Sequence, residues 1–264
     1  MNARPVILAE GSNHDLMSRI DRAAALWLRR HPMQLSLDRP VVSFTFDDVP
    51  DSAVANGAGI LDQHGCRGTF YLAGGLAGAT SGSYKFFVPS DVPRLLDQGH
   101  EVGCHTFSHP VVQTLDARRL MEEFDRNRQW LIAVDPRADP VSFAYPYGAV
   151  GFSQKALTAR RFSNSRGVRH GLNIGSADRA QLLAVQLYDC RLDEKRLDAI
   201  IDEAVRSEAW LVFYTHDVQD GPSEHGCSPR LLSLAVERVL AAGCTVAPMR
   251  DAMAIAGGAE KSHQ

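Results

Sequence analysis

The chain has 264 residues, 45% of them hydrophobic, and a formal net charge of −3. That length and apolar content suffice for a sizeable core in one large domain, and the charge balance gives no electrostatic reason to expect a nucleic-acid partner. Five cysteines (Cys66, Cys104, Cys190, Cys227 and Cys244) show no Cys-x-x-Cys spacing, so no disulfide framework is expected and a reducing compartment is.

From Met1 to Gly11 no apolar core follows a basic start, and no stretch reaches the ~20 apolar residues that span a bilayer. The expectation is a cytoplasmic protein in three parts: an N-terminal extension over 1–39, a catalytic-type domain over 40–254 and a tail over 255–264. Within the extension, Leu16, Ile20, Ala24, Trp27 and Leu28 recur at helical spacing, with Arg19, Arg22, Arg29 and Arg30 among them. Residues 14–30 therefore read as an amphipathic helix, either lying on an anionic membrane surface as a peripheral contact or packing its apolar stripe against the domain with the arginines in water.

Next comes Val41-Val42-Ser43-Phe44-Thr45-Phe46-Asp47-Asp48, a strand-like run ending in two adjacent carboxylates. Two acids delivered to the end of a core strand are costly unless something neutralises them, which suggests a metal ion, a proton-transfer site, or both. Further strands are expected at 68–73, 101–105, 141–145, 162–166, 184–188, 210–215 and 244–247. Helices are expected at 53–64, 90–98, 116–133, 151–160, 193–208 and 229–242, with Gly65, Gly99 and Gly243 at helix ends. Repeated strand–helix alternation predicts a parallel sheet, and about seven to eight units predict a closed or nearly closed α/β barrel.

The segment His105-Thr106-Phe107-Ser108-His109 places two imidazoles four residues apart. Asp48, His105 and His109 together would hold a metal and leave a position open for water, with Asp47 beside them as a base. Asp47, Asp48, His105, Tyr145–Gly148 and His216 all fall at predicted carboxyl ends of strands, where barrels gather their functional residues. Taken singly, each motif has a plainer explanation: an acid pair caps a helix, and Tyr-Pro-Tyr-Gly makes a turn. His14, His31, His64, His100, His170, His225 and His263 have no partner pattern and read as structural or solvated.

The ordered set Thr45-Phe46-Asp47-Asp48, His105-Thr106-Phe107-Ser108-His109, Tyr145-Pro146-Tyr147-Gly148 and Thr215-His216-Asp217 resembles the polysaccharide deacetylases with the NodB homology domain, carbohydrate esterase family 4. Gly68-Thr69-Phe70-Tyr71 and Gly99-His100-Glu101-Val102-Gly103 support it, and the overall pattern is similar to exopolysaccharide deacetylases of the holdfast type. The resemblance implies a distorted (β/α) barrel and metal-dependent removal of acetyl groups from sugars. By it, Asp48, His105 and His109 hold a divalent metal (Zn²⁺, with Co²⁺ or another divalent ion also suited), Asp47 is the base, and His216 the acid. The Tyr147 backbone N–H would face the oxyanion, and Tyr145, Tyr147 and Tyr214 would border the sugar.

Three departures from the family pattern stand out. Ala144 occupies the place of an arginine that orients the catalytic aspartate, so Arg166 or Arg169 is the candidate replacement. The Asp-rich motif is poorly matched, leaving Asp189 as the candidate partner of His216. Tyr214 stands where an aliphatic residue is common. The expected substrate is an N-acetylglucosamine-containing exopolysaccharide or its lipid-linked precursor. An O-acetyl esterase, another sugar or amide deacylase, and an inactive carbohydrate-binding relative are the alternatives.

Overall fold

In a computed structural model, residues 16–28, 31–82 and 84–257 are described. His14, Arg29, Arg30, His263 and the tail beyond residue 257 lie outside them. The helices are α1 (Leu16–Trp27), α2 (Gly59–Gln63), α3 (Asp91–Asp97), α4 (Ala117–Val134), α5 (Phe152–Arg161), α6 (Glu194–Arg206), α7 (Pro229–Ala241) and α8 (Met249–Ala256). The strands are β1 (Pro32–Gln34), β2 (Val41–Asp47), β3 (Thr69–Leu72), β4 (Thr80–Ser81), β5 (Tyr84–Lys85), β6 (Glu101–Cys104), β7 (Ser142–Ala144), β8 (Asn164–Arg166), β9 (Ser176–Asp178), β10 (Val185–Gln186), β11 (Trp210–Thr215) and β12 (Thr245–Val246).

Seven parallel strands form one curled sheet in the order β10-β11-β2-β3-β6-β7-β8, and β12 pairs with the first two residues of β2. The curl nearly closes. Leu182, just ahead of β10, bridges Arg166 in parallel, while Val185 and Gln186 pair with Phe213 and Tyr214 of β11. The architecture is the expected distorted (β/α) barrel, and each of the eight predicted strands is present, most of them a residue or two shorter. Sequence reasoning missed the β1–β9 pair, the β4–β5 hairpin and α8. These four strands hold two or three residues each, too few to show a period.

Alternation along β2 sorts its side chains. Val42, Phe44 and Phe46 pack outward with Phe70, Leu61 and Phe213 in the layer beneath the helices. Phe46 stacks on Phe70 at 4.5 Å between ring centroids, and Phe44 on Phe213 at 5.5 Å. Val41, Ser43, Thr45 and Asp47 alternate with them and take the other face, as expected for a pleated strand. There Val41 packs with Trp210, Val212, Tyr214 and Met249. The polar members of this face are paired: Ser43 Oγ donates to the Ala247 carbonyl and accepts from Trp210 Nε1, and Thr45 Oγ1 donates to the Phe213 carbonyl. Asp47 is thus the last residue of an otherwise satisfied row.

Helix ends follow local chemistry. Asp116, Asp193 and Ser228 accept hydrogen bonds from the first turns of α4, α6 and α7, and Gly65, Gly99 and Gly243 take φ of 67°, 83° and 74° just past helix ends. The predicted 53–64 helix begins instead as a π-helical turn over Ala53–Ala58, where a Cβ on Gly57 would meet the Phe46 ring at 2.8 Å.

Helix α1 docks with its polar side inward, not with its apolar stripe. Asp21 accepts from Phe152 N at the open start of α5 and from Gln113 Nε2, while the buried Lys155 ammonium donates to the Ala25 carbonyl. The α5 start has no side-chain cap of its own, and the Asp21 carboxylate answers both the bare N–H and the helix dipole.

Gly103 of β6 faces Tyr71 across the ladder, and a Cβ there would lie 2.4 Å from the Tyr71 ring. Gly103→Ala should therefore lower stability by about 1–3 kcal/mol through overpacking, measured as a reduced urea midpoint with an unchanged slope.

Candidate active site

The sheet delivers its carboxyl ends to one cleft of about 930 Å³, at the upper end of the volume range of ligand pockets. Its wall includes Asp47, Asp48, His105, His109, Tyr147 and His216. The backbone around these residues is unusual. Asp48, Val49, Thr106, His109 and Tyr147 all have positive φ, between 53° and 62°. Non-glycine residues pay roughly 1–3 kcal/mol for such a conformation, so five at one rim mark a place where side-chain direction outweighs backbone comfort.

Asp48, His105 and His109 offer ligand atoms that all lie within 4.8 Å of one another. Asp48 Oδ1 stands 2.9 Å from His109 Nε2 and 3.4 Å from His105 Nε2. His105 Nδ1 lies 2.8 Å from the Ala144 carbonyl, an acceptor only, so Nδ1 carries the proton and a neutral ring leaves Nε2 with a free lone pair. Burial pushes the His105 pKa down to about 4 against the pull of Asp47 and Asp48, which keeps the ring neutral at pH 7. For His109, burial is outweighed by the adjacent Asp48 and its pKa is raised; its Nδ1 sits 3.2 Å from the Tyr147 hydroxyl. Burial likewise opposes ionisation of Asp48, yet the two imidazoles hold it well below the usual carboxylate range. Two imidazole nitrogens and one carboxylate oxygen form a donor set that fits a divalent ion such as Zn²⁺.

Asp47 is buried and forms an ion pair with the fully buried Arg166 through Oδ1 and Nη2. Burial pushes the Asp47 carboxyl up, but Arg166, His105 and His216 outweigh it, so the group titrates below an ordinary aspartate. The origin of the arginine is visible in the ladder: Ala144 of β7 and Arg166 of β8 are Cα partners. The guanidinium absent from one strand enters from the next, at the same height. Its carbon lies 4.9 Å from the Tyr214 ring centroid and 5.4 Å from that of Tyr71. Tyr214, where an aliphatic residue is common, therefore serves as an aromatic face for the relocated cation.

Two other candidates lie elsewhere. Arg169 does not face Asp47; it stacks over Trp27 at 5.9 Å. Asp189 does not reach His216. It is exposed, and its Oδ1 accepts from Ser228 N (2.7 Å) and Oγ (3.2 Å) at the start of α7, because its strand has ended and the chain has turned outward. His216 Nδ1 instead lies 3.2 Å from the His225 carbonyl. The loop carrying that carbonyl is fixed by buried Asp217, which accepts from Ser223 N and Oγ and from Gln219 Nε2.

Tyr145 lines the cleft with its ring, but its hydroxyl is used inside the protein, donating to the Ala180 carbonyl at 2.9 Å and bonding Thr158. Tyr147, 44% exposed, is the tyrosine of that motif open to a ligand. Sequence reasoning missed His225, Glu224 and Gln186 of the wall. His225 carried no spacing signal, because the 217–227 loop brings it beside His216, with ring centroids 5.5 Å apart. Tyr84 and Phe86 come from the 74–87 segment, which folds back onto Val49–Pro50 through the Phe87 N to Val49 O bond and a Pro50–Phe86 bridge.

Arg166→Ala should cost about 3–5 kcal/mol, the loss expected when a buried charge keeps no partner. Adding Ala144→Arg should recover part of it, read by urea denaturation. Because folding depresses the Asp47 pKa, its stabilising effect is complete above the unfolded value of about 3.9. The margin of wild type over Asp47→Asn should hold at neutral pH and shrink as pH falls below that value.

A family model described as polysaccharide deacetylase matches residues 35–166. Among curated proteins, the chain is 30% identical over 112 residues to a peptidoglycan-N-acetylglucosamine deacetylase of Listeria monocytogenes, covering 41% of this chain and 22% of that protein. It is 29% identical over 129 residues to a Bacillus cereus peptidoglycan-N-acetylglucosamine deacetylase (47% and 43% covered), and 30% identical over 115 residues to a Pestalotiopsis chitin deacetylase (44% and 35%). The matched segments thus span less than half the length of these relatives. The fold is shared with a chitin deacetylase structure from Colletotrichum lindemuthianum, at TM-score 0.59 and 19% identity over 83% of this chain and 89% of that one. A mutant of a family pseudoenzyme, described as having restored enzymatic activity, also shares it, at TM-score 0.57 and 15% identity over 83% and 70%. With a family model matched across half its length and that family's barrel beneath it, the chain belongs to the polysaccharide deacetylases, carbohydrate esterase family 4.

Proposed function

We propose that the protein is a metal-dependent N-deacetylase acting on N-acetylglucosamine units of an exopolysaccharide or its lipid-linked precursor. One observation carries this reading: a single cleft holds a carboxylate oriented by a buried arginine, a two-histidine, one-carboxylate donor set, and a third histidine, His216. A structural relative described as a family pseudoenzyme whose mutant has restored activity separates the fold from the activity, so the groups in the cleft, rather than the barrel, support the reading. The named substrates of the relatives, peptidoglycan, N-acetylglucosamine and chitin, support the sugar class.

In this reading Asp48, His105 and His109 hold the cation, which when bound supplies Lewis-acid polarisation to the acetyl group and to water. Asp47 removes the proton from the attacking water; its depressed pKa keeps it ionised at working pH, and Arg166 holds it in place. The Tyr147 N–H, carried on a left-handed residue between Pro146 and Gly148, stabilises the developing oxyanion. His216, with Nδ1 anchored on the His225 carbonyl, gives a proton to the departing nitrogen from its other ring nitrogen. Tyr84, Phe86, Tyr147 and Tyr188 offer aromatic surface to sugar rings. The five unpaired cysteines fit action in a reducing compartment.

The test is acetate release from N-acetylglucosamine oligomers by chelated protein and by the same sample with Zn²⁺ or Co²⁺ restored. Release that follows the metal supports the proposal. Release only from O-acetylated sugars would replace it with an esterase, and saccharide binding without release from either would replace it with a binding role. Asp48→Ala should lose metal, measured by elemental analysis, and turnover together. Asp47→Asn should keep the metal while kcat falls by about 10²–10⁴-fold.

A further inference from the structure

We infer that the outward face of α1 is a membrane-docking surface for anionic lipid, set at the rim of the catalytic cleft. The helix turns its polar side to the barrel and its apolar side to solvent. Leu16 is 66% exposed, Met17 68%, Ile20 53%, Trp27 66% and Leu28 77%. Leu16, Ile20, Ala23 and Trp27 follow one another at steps of three and four, so they share one stripe along the helix. An apolar stripe of this kind, ending in a tryptophan, matches helices that lie in a lipid interface.

Charge selects the occupant. Arg19, Arg22, Arg29 and Arg30 fall between residues 16 and 30, against one acid, Asp21, in a chain whose net charge is −3. That acid faces inward, bonded to Phe152 N and Gln113. Arg19 is on the exposed surface. Apolar side chains accompanied by arginines suit anionic headgroups over acyl chains, whereas a second copy of the same face would bring like charges together.

Position gives the surface its consequence. Helix α1 runs along the carboxyl-end rim, touching Gln113 after β6, Phe152 after β7 and Arg169 after β8 in turn. The Arg169 guanidinium lies 5.9 Å from the Trp27 ring centroid, and its neighbour Val168 lines the cleft against Gly148 and beside Tyr147. Val168 and Tyr147 are themselves 37% and 44% exposed, so exposed apolar side chains stand at the mouth as well as on the helix, with the exposed Arg169 between them. Docked this way, the mouth opens next to the headgroup layer, where a lipid-borne saccharide would be presented. This last consequence rests on the proposed deacetylase function; the docking itself does not.

The experiment is flotation of the full chain with vesicles of phosphatidylcholine alone and of phosphatidylcholine with phosphatidylglycerol in equal parts. Wild type should float with the anionic vesicles and much less with the neutral ones. Ile20→Glu with Trp27→Glu should lower the bound fraction at least about tenfold, with an unchanged melting temperature, since both side chains are exposed. Arg19→Ala should weaken anionic binding by up to about fivefold. Wild type that stays unbound on both vesicles, or a double variant that floats like wild type, overturns the proposal. So does a dimer by light scattering that the double variant converts to monomer while neither protein floats. Flotation needs no turnover, so its outcome is independent of whether acetate is released.

Discussion

A carboxylate at the end of a buried strand has to be neutralised before the barrel can close over it, and the Asp47–Arg166 pair meets that requirement. Much of the site is arranged around this pair. The guanidinium needs two aromatic faces, supplied by Tyr71 and Tyr214, and Tyr71 fits because Gly103 beside it has no side chain. It also needs an acceptor for its remaining donors, and Nη1 finds the Gly167 carbonyl. Bringing two charges out of water costs several kcal/mol each, so such a pair is a weak source of net stability. Its value is orientation: a carboxylate with one oxygen fixed by an arginine presents its other oxygen in one direction.

The strained rim extends the same logic. Five left-handed, non-glycine residues surround the cleft, and buried polar side chains tie down loops beside them. Buried Asn127 of α4 accepts from Gly74 N and donates to the Leu72 carbonyl, tying the loop after β3 to the helix layer. Buried Asp217 does the same for the 217–227 loop, which sets the carbonyl facing His216. Short polar anchors of this kind fix the loops that frame the cleft.

Those outer loops give this chain its own character. The hairpin of β4 and β5 brings Tyr84 and Phe86 to the cleft, and the 217–227 loop brings Glu224 and His225. A backbone carbonyl stands at His216 where a carboxylate partner was expected, while Asp189 serves the start of α7. Helix α1 adds an apolar band outside the mouth. The cleft is thus a shared centre inside a locally built frame.

Local sequence determined the strands, most helix limits and the metal-type trio, because these depend on alternation, caps and short spacing. The run from Val41 to Asp48 could hardly be anything but a buried strand ending in acids. The three glycines past helix ends were equally legible, since left-handed caps disfavour a Cβ. Tertiary structure alone decided which arginine meets Asp47. Arg166 and Arg169 are close in sequence, but strand register places the first opposite Ala144 and leaves the second over Trp27. It decided as well which way α1 faces, because Asp21 finds the bare start of α5 some 130 residues along the chain. A periodic pattern shows that a helix has two sides; only the partners brought near it by the fold determine which side turns inward.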